Sequence, residues 1–183
     1  MIRSSIVVLL GIAAASLDLG VAQAALSVGA SAPDFTTQAA IGGNEFSFTL
    51  SDALKKGPVV LYFYPKAFTK GCTVEAHNCS EATEKFKAMG ATVIGMSNDD
   101  IDTLKKFSVL ECRNKFAVAA DQGGRVMKQY DAVMPGRADV ADRISYVIAP
   151  DGKVIYSFAS MSPDGHVENT LTAVEHWKGG AHH

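Results

Sequence analysis

Little in this chain is arranged to hold a polyanion: 17 basic residues against 19 acidic ones leave a formal charge of −2, and their spacing builds no basic face. Nucleic acid is therefore not an expected partner. Cysteine is scarce as well. Cys72, Cys79 and Cys112 are the three thiols, and Glu75 stands where a Cys-x-x-Cys motif starting at Cys72 would place its second sulfur, so the dithiol pattern of a disulfide exchanger is missing. Ala76 fills the place one helical turn on that a two-cysteine copper site would use, and His77 reads as an exposed helix residue, not a ligand. Hydrolase and nucleotide motifs, internal repeats and interdomain linkers are absent too. No metal or other cofactor is called for.

One apolar run is long, residues 6–15, and it lies between Met1-Ile2-Arg3 and Ala22-Gln23-Ala24. That is the charged, apolar and small-residue order of a secretory signal peptide, and the run is shorter than the roughly 20 residues a spanning helix needs. We expect residues 1–24 to be a cleaved leader and residues 25–183 a single domain, periplasmic or secreted and free of the membrane. Cleavage removes one base, Arg3, and one acid, Asp18, so the charge stays at −2. A hydrophobic content of 48% excludes disorder and supports one sizeable core. Three cysteines in an exported chain leave at least one thiol over, either inert in the core or reactive.

Along the mature chain, residues 45–50 alternate apolar and polar after the turn Gly42-Gly43-Asn44, which reads as an N-terminal hairpin. Residues 59–64 form a continuous apolar run, a strand covered on both faces. Cys79, Ala82, Phe86 and Met89 then recur at helical steps over 72–89, and Gly90 supplies the stop. A strand over 91–96 leads to the capping residues Asn98-Asp99-Asp100 and a helix to about Leu110. Next come a strand over 116–120, a short helix over 124–131 and a loop over 132–142. Residues 144–149 and 154–158 flank Pro150-Asp151-Gly152-Lys153 as an antiparallel hairpin. A helix over 166–177 and a frayed tail from Gly179 complete the chain. Strands alternating with helices, then a hairpin and a helix, predict a three-layer α/β sandwich with a mixed central sheet.

Cys72 stands out by position. It follows the loop from Pro65 to Gly71 and opens the first long helix, where unpaired backbone N–H groups and the positive end of the helix dipole favour a charged sulfur. Keeping a thiol mostly ionised at neutral pH takes about 3.4 kcal/mol, whereas a helix terminus supplies about 0.3–1 and at best about 2 kcal/mol. A fixed cation nearby is needed to close the gap.

The stretch Tyr62-Phe63-Tyr64-Pro65-Lys66, followed by Thr69 and Cys72 in the pattern Pro-x-x-x-Thr-x-x-Cys, resembles the peroxiredoxins, in particular their bacterioferritin-comigratory or Q-type branch. Pro33-Asp34-Phe35 and residues 143–148 extend the resemblance over most of residues 27–177. It implies a thioredoxin-like fold and a thiol-dependent peroxidase that reduces hydrogen peroxide and organic hydroperoxides. Cys72 would be the peroxidatic cysteine that becomes a sulfenic acid. Thr69 would hydrogen-bond the peroxide, Pro65 would shield the pocket, Arg143 would hold thiolate and peroxide, and Glu75 would orient Arg143. From the residues alone, other roles stay open: Thr69 as a helix cap, Pro65 as a strand terminator, Glu75 as an acid on the dipole. Arg137 competes with Arg143, which stands directly before an expected core strand.

Many Q-type relatives carry a partner cysteine five residues after the peroxidatic one, and here that place is His77. In an intact helix Cys79 would lie about 10.5 Å along the axis from Cys72, too far for a disulfide, and it shares the apolar stripe, so it reads as core. Cys112, after the second helix in a segment whose ends can fray and in the region where some relatives carry theirs, is the expected resolving cysteine; the alternative is no intramolecular partner at all. A thioredoxin-like dithiol would be the outside reductant, and the resemblance implies a monomer. The competing readings are a noncatalytic module on the same fold, stapled by a Cys79–Cys112 bridge, and a thiol-disulfide oxidoreductase.

Overall fold

The computed structural model describes residues 25–180, so the expected leader and residues 181–183 of the expected tail lie outside the described residues. Val59–Phe63 forms a strand buried along its whole length. Its side chains alternate: Val59, Leu61 and Phe63 enter one apolar cluster, while Val60 and Tyr62 enter a second. A strand covered on both faces belongs in the middle of a three-layer fold.

In chain order the elements are β1 (Thr36–Ile41), β2 (Asn44–Thr49), α1 (Leu50–Leu54), β3 (Val59–Phe63), α2 (Lys70–Ala88), β4 (Thr92–Ser97) and α3 (Ile101–Leu110). There follow β5 (Ala117–Ala120), α4 (Arg125–Gln129), β6 (Val133–Met134), β7 (Arg137–Ala141), β8 (Ile144–Ile148), β9 (Val154–Ala159) and α5 (His166–Gly180). Seven strands form one sheet in the order β2-β1-β5-β4-β3-β8-β9. It is mixed, with β3, β4 and β5 parallel and the β1–β2, β1–β5, β3–β8 and β8–β9 pairs antiparallel. Residues of α2, α3 and α5 cover one face, and those of α1 and α4 the other. The expected sandwich, mixed sheet and N-terminal hairpin are all present. Among the described residues no helix is long and apolar enough to cross a membrane.

Local chemistry explains the boundaries of α2. Gly90 takes a φ of 78°, the left-handed turn that glycine adopts without a Cβ penalty. The Ala91 N–H reaches the Phe86 carbonyl at 2.9 Å and the Gly90 N–H reaches that of Lys87 at 2.9 Å, the paired bonds of a Schellman stop. Of the three capping residues before α3, Asp100 does the capping, accepting from the Thr103 N–H at 2.8 Å.

Three expectations need correction. Residues 132–142 are not a loop: β6 and β7 pair across Pro135-Gly136, Gly136 taking the positive φ the turn requires. The strand expected to reach Leu50 ends at Thr49, because Leu50, Ala53 and Leu54 turn one apolar helical face into the core as α1. Gly179 and Gly180 continue α5 and do not fray.

Tyr62 and Gly95 are register partners in β3 and β4, and the tyrosine ring lies over the glycine. A Cβ added at Gly95 would meet the Tyr62 ring at 2.7 Å. Tyr62 is held in turn by Tyr64 and Phe116, with ring centroids 5.6 and 6.1 Å away. Gly95→Ala is expected to destabilise the fold by about 1–3 kcal/mol through overpacking; an unchanged urea midpoint would contradict it.

Candidate active site

The chain leaves β3 into a loop with little freedom. Beyond Phe63 the Tyr64 N–H still donates to the Met96 carbonyl at 3.0 Å. The Ala67 N–H donates to Asp99 Oδ2 at 2.8 Å, and the Ser97 hydroxyl donates to the same oxygen at 2.8 Å. Half-buried Pro65 begins this loop. Phe68 takes a φ of 62° although it is not glycine, a strained conformation, and its ring packs edge-on against Phe107 at 5.1 Å. Thr69 is the N-cap residue of α2 but makes no side-chain cap bond; its hydroxyl donates to the Lys66 carbonyl at 2.9 Å.

Thr73 N–H to Thr69 carbonyl, 2.9 Å, is the first helical bond of α2. The N–H groups of Lys70, Gly71 and Cys72 lie ahead of it, at the electropositive end of a helix of 19 residues. Cys72 is 2% exposed.

Opposite the sulfur stands Arg143, from the residue just before β8. Its Nη2 donates to Cys72 Sγ at 3.4 Å, its Nε donates to the Met161 carbonyl at 3.2 Å, and its Nη1 donates to Glu75 Oε2. Arg143 is 3% exposed and Glu75 fully buried, so this is a buried ion pair and not a surface contact. Arg137, the competitor, is exposed and pairs with Asp139 at 3.7 Å. Burial alone would lower the Arg143 guanidinium, but the facing Glu75 and Cys72 outweigh it and hold it above its ordinary value. Burial pushes the Glu75 carboxyl up to about 7, against the pull of Arg143.

The structure thus brings Cys72, Arg143 and Glu75 together, with Pro65 and Thr69 on the loop that feeds them. All three cysteines are unpaired. Cys79 is core, as expected, and burial pushes its thiol well up. Cys112 does not lie in a fraying end: it is wholly buried, and burial pushes its thiol up. Its carbonyl accepts from the Ser80 hydroxyl at 2.9 Å. Its neighbours Glu111 and Arg113 pair with His77 at 2.8 Å and Glu81 at 3.4 Å on α2. His77, expected to be exposed, is half-buried in that contact.

Gly71, Ser145, Met161 and His166 belong to the same neighbourhood and carried no signal in the sequence. Gly71 directly precedes Cys72, whereas the other three reach it from β8 and the β9–α5 connection, about 70 to 90 residues further along. A cavity of about 400 Å³ lined by Phe46, Phe48, Thr83, Lys87 and Phe116 lies toward the opposite end of α2 and shares no residue with the Cys72 group. Among the described residues no group of three or more His, Cys, Asp or Glu side chains could hold a metal ion.

A single thiol at a helix N-terminus, faced by a buried and clamped guanidinium on a thioredoxin-like sheet, defines a nucleophilic-cysteine protein with no second thiol in direct reach. Residues 28–157 match the model of the AhpC/TSA family. Putative peroxiredoxin Q, chloroplastic, of Oryza sativa subsp. indica is 34% identical over 151 residues, 82% of this chain and 67% of the relative. Peroxiredoxin Bcp of Escherichia coli (strain K12) is 34% identical over 118 residues, covering 62% of this chain and 75% of the relative. Among solved structures, peroxidoxin BcpB from Mycobacterium tuberculosis superposes with a TM-score of 0.73 at 30% identity, covering 81% of this chain and 96% of that one. The chain belongs to the AhpC/TSA family and is a peroxiredoxin, a thiol-dependent peroxidase.

Two outcomes follow from the geometry. A Cβ at Gly71 would sit 3.0 Å from Arg143 Nη2, and the guanidinium is anchored on its other sides, so Gly71→Ala should displace it from the sulfur. The second-order rate of peroxide reduction should fall about tenfold or more, with little change in melting temperature; an unchanged stopped-flow rate would contradict this.

The folded Glu75 carboxyl holds its proton up to about 7, the unfolded one only to about 4.5. Its contribution to stability is therefore complete below about pH 4.5 and lost as pH rises through about 7. Comparing wild type with Glu75→Gln by denaturant unfolding should show a downward slope in that window that the variant lacks. Parallel curves would refute the buried, proton-holding carboxyl.

Proposed function

We propose that Cys72 is the peroxidatic cysteine. Its thiolate attacks the terminal oxygen of a hydroperoxide; an S–O bond forms, the O–O bond breaks, and the departing alkoxide or hydroxide takes up a proton to leave as alcohol or water. The observation that carries this reading is the Arg143 guanidinium, 3.4 Å from the sulfur and anchored on its far side by Glu75 and the Met161 carbonyl. A cation so placed stabilises the attacking thiolate and the negative charge that develops on the peroxide oxygens. Thr69 offers its hydroxyl oxygen at the helix entrance, Pro65 shields the pocket, and Glu75 orients Arg143.

Cys112 then resolves the sulfenic acid: its sulfur attacks Cys72, a disulfide forms and water leaves. An outside thioredoxin-like dithiol reduces the bridge by exchange. Because burial disfavours the Cys112 thiolate and Ser80, His77 and Glu81 hold its segment on α2, this step requires both the first turn of α2 and the end of α3 to open locally. Arg113 and Asn114 take φ values of 51° and 59° just past Cys112, so the segment is already strained. We take a monomer as the working unit, as the resemblance to the Q-type branch implies, and the leader pattern supports export to the periplasm or beyond.

With one equivalent of hydrogen peroxide, non-reducing peptide mapping should recover a Cys72–Cys112 bridge. Cys112→Ser should instead accumulate a sulfenic acid that dimedone traps, and Cys72→Ser should lose peroxide turnover by roughly 10³-fold or more. A Cys79–Cys112 bridge with Cys72 left free would overturn the assignment.

A further inference from the structure

The Glu75–Arg143 pair leaves one polar atom unaccounted for. Glu75 Oε1 is buried and, among the described residues, has no hydrogen-bond partner, a condition that native structures rarely tolerate without a reason. His166 Nδ1 stands 3.8 Å from it. The imidazole is the first residue of α5 and is 1% exposed. Its Nε2 lies 2.9 Å from the Ser160 carbonyl, which can only accept, so the ring proton sits on Nε2. Nδ1 is then a bare acceptor, satisfied at 2.8 Å by the Ser145 hydroxyl.

The same short connection serves both rings of contact. Ser160 gives its carbonyl to His166, and the next residue, Met161, gives its carbonyl to Arg143 Nε at 3.2 Å. The Ser160 N–H also donates to the Arg143 carbonyl at 3.2 Å. Phe158 closes the remaining side of the imidazole edge-on at 4.8 Å. His166 therefore lies beside one group that fixes the guanidinium, the Glu75 carboxyl at 3.8 Å, and is bonded to the loop that carries another, Met161.

We infer that His166 is a positioning residue for the peroxide reaction, holding Arg143 opposite Cys72 from behind and sharing one proton with the free oxygen of Glu75. The inference rests on Cys72 and Arg143 being the reacting pair. When the carboxyl takes a proton from solvent on Oε1, that oxygen gains a hydrogen to donate and Nδ1 accepts it, closing the gap while the Ser145 hydroxyl turns away. Burial keeps the imidazole below its usual range and the Glu75 carboxyl above its own, which puts the shared proton on the carboxyl side. Other ionisable groups face this spot. Arg143 is the fixed cation; Tyr62 and Cys79 line the same small void, and burial pushes both well up, so both stay neutral.

The test is a set of full-chain variants read by stopped-flow oxidation of Cys72 with hydrogen peroxide between pH 5 and 9, beside their unfolding midpoints. His166→Asn keeps an acceptor at the depth of Nδ1 and should retain the rate within about threefold. His166→Gln reaches Ser160 but leaves nothing opposite Glu75, and with His166→Leu it should fall about tenfold. The raised Glu75 carboxyl should give the wild-type pH–rate profile a step near pH 7, and that step should vanish in His166→Leu. A His166→Leu rate equal to wild type, or losses that follow the unfolding midpoints with the pH step intact, would overturn the role. A Cys72→Ser variant that consumes peroxide as fast as wild type would instead remove the functional reading beneath it. Imidazole nitrogen resonances of the folded wild type give a readout independent of whether the His166 variants fold: the Nε2–H tautomer, with signals that move in Glu75→Gln, is expected, and an Nδ1–H tautomer or unmoved signals would contradict the inference.

Discussion

A buried positive charge sets the terms for this molecule. The Arg143 guanidinium is almost out of solvent, a position that is unfavourable unless every face of the group meets a partner. Glu75 meets Nη1, Met161 meets Nε, and Cys72 meets Nη2. The carboxylate neutralises only part of the charge, because its own ionisation is opposed by burial. What remains is directed at the sulfur. The helix terminus alone gives about 2 kcal/mol at best, so the chemistry proposed for Cys72 depends on the arginine.

The fold explains how residues so distant in sequence hold that geometry. Cys72 and Glu75 are one turn apart on α2, so one side of the helix presents sulfur and carboxylate together. Arg143 enters from the antiparallel neighbour of β3: Phe63 pairs with Ile144, which sets the arginine beside the strand end from which the Cys72 loop departs. Asp99, two residues past β4, pins that loop from the other side. The sheet register fixes these three strand ends relative to one another, and small errors in such positioning cost large factors in rate.

The sequence made some of this visible and concealed the rest for physical reasons. Strand β3, helix α2 with its Gly90 stop, and the Asp100 cap were legible because burial on two faces, a 3.6-residue stripe and capping chemistry are all local. Helix α1 and the β6–β7 pair were not, since five and two residues are too few for periodicity to separate from turn. At the site, Cys72 announced itself by position at a helix start, whereas Arg143 was favoured over Arg137 by its place directly before an expected core strand and drew its role from a resemblance. His166 and Ser145 looked like a helix start and a strand position. Their partners come from other elements, and no window of sequence contains both sides of such a contact. His77 misled for the same reason, because its partner Glu111 lies beyond the next strand and helix.

The stability of this site works against the second half of the proposed cycle. Each contact that fixes Cys72 against Arg143 also holds α2 in its first turn, and the contacts from Ser80, His77 and Glu81 hold the Cys112 segment on the same helix. A structure tuned only for attack on peroxide would never let the two sulfurs meet. The left-handed residues Phe68, Arg113 and Asn114 lie in the two segments that must move, and strain there lowers the free energy of local opening relative to an unstrained chain. Conversion of the sulfur to a neutral sulfenic acid acts in the same direction, because Arg143 then loses the negative charge it faced. On this reading the oxidation itself weakens the interaction that keeps the site closed, so that opening follows chemistry and does not compete with it.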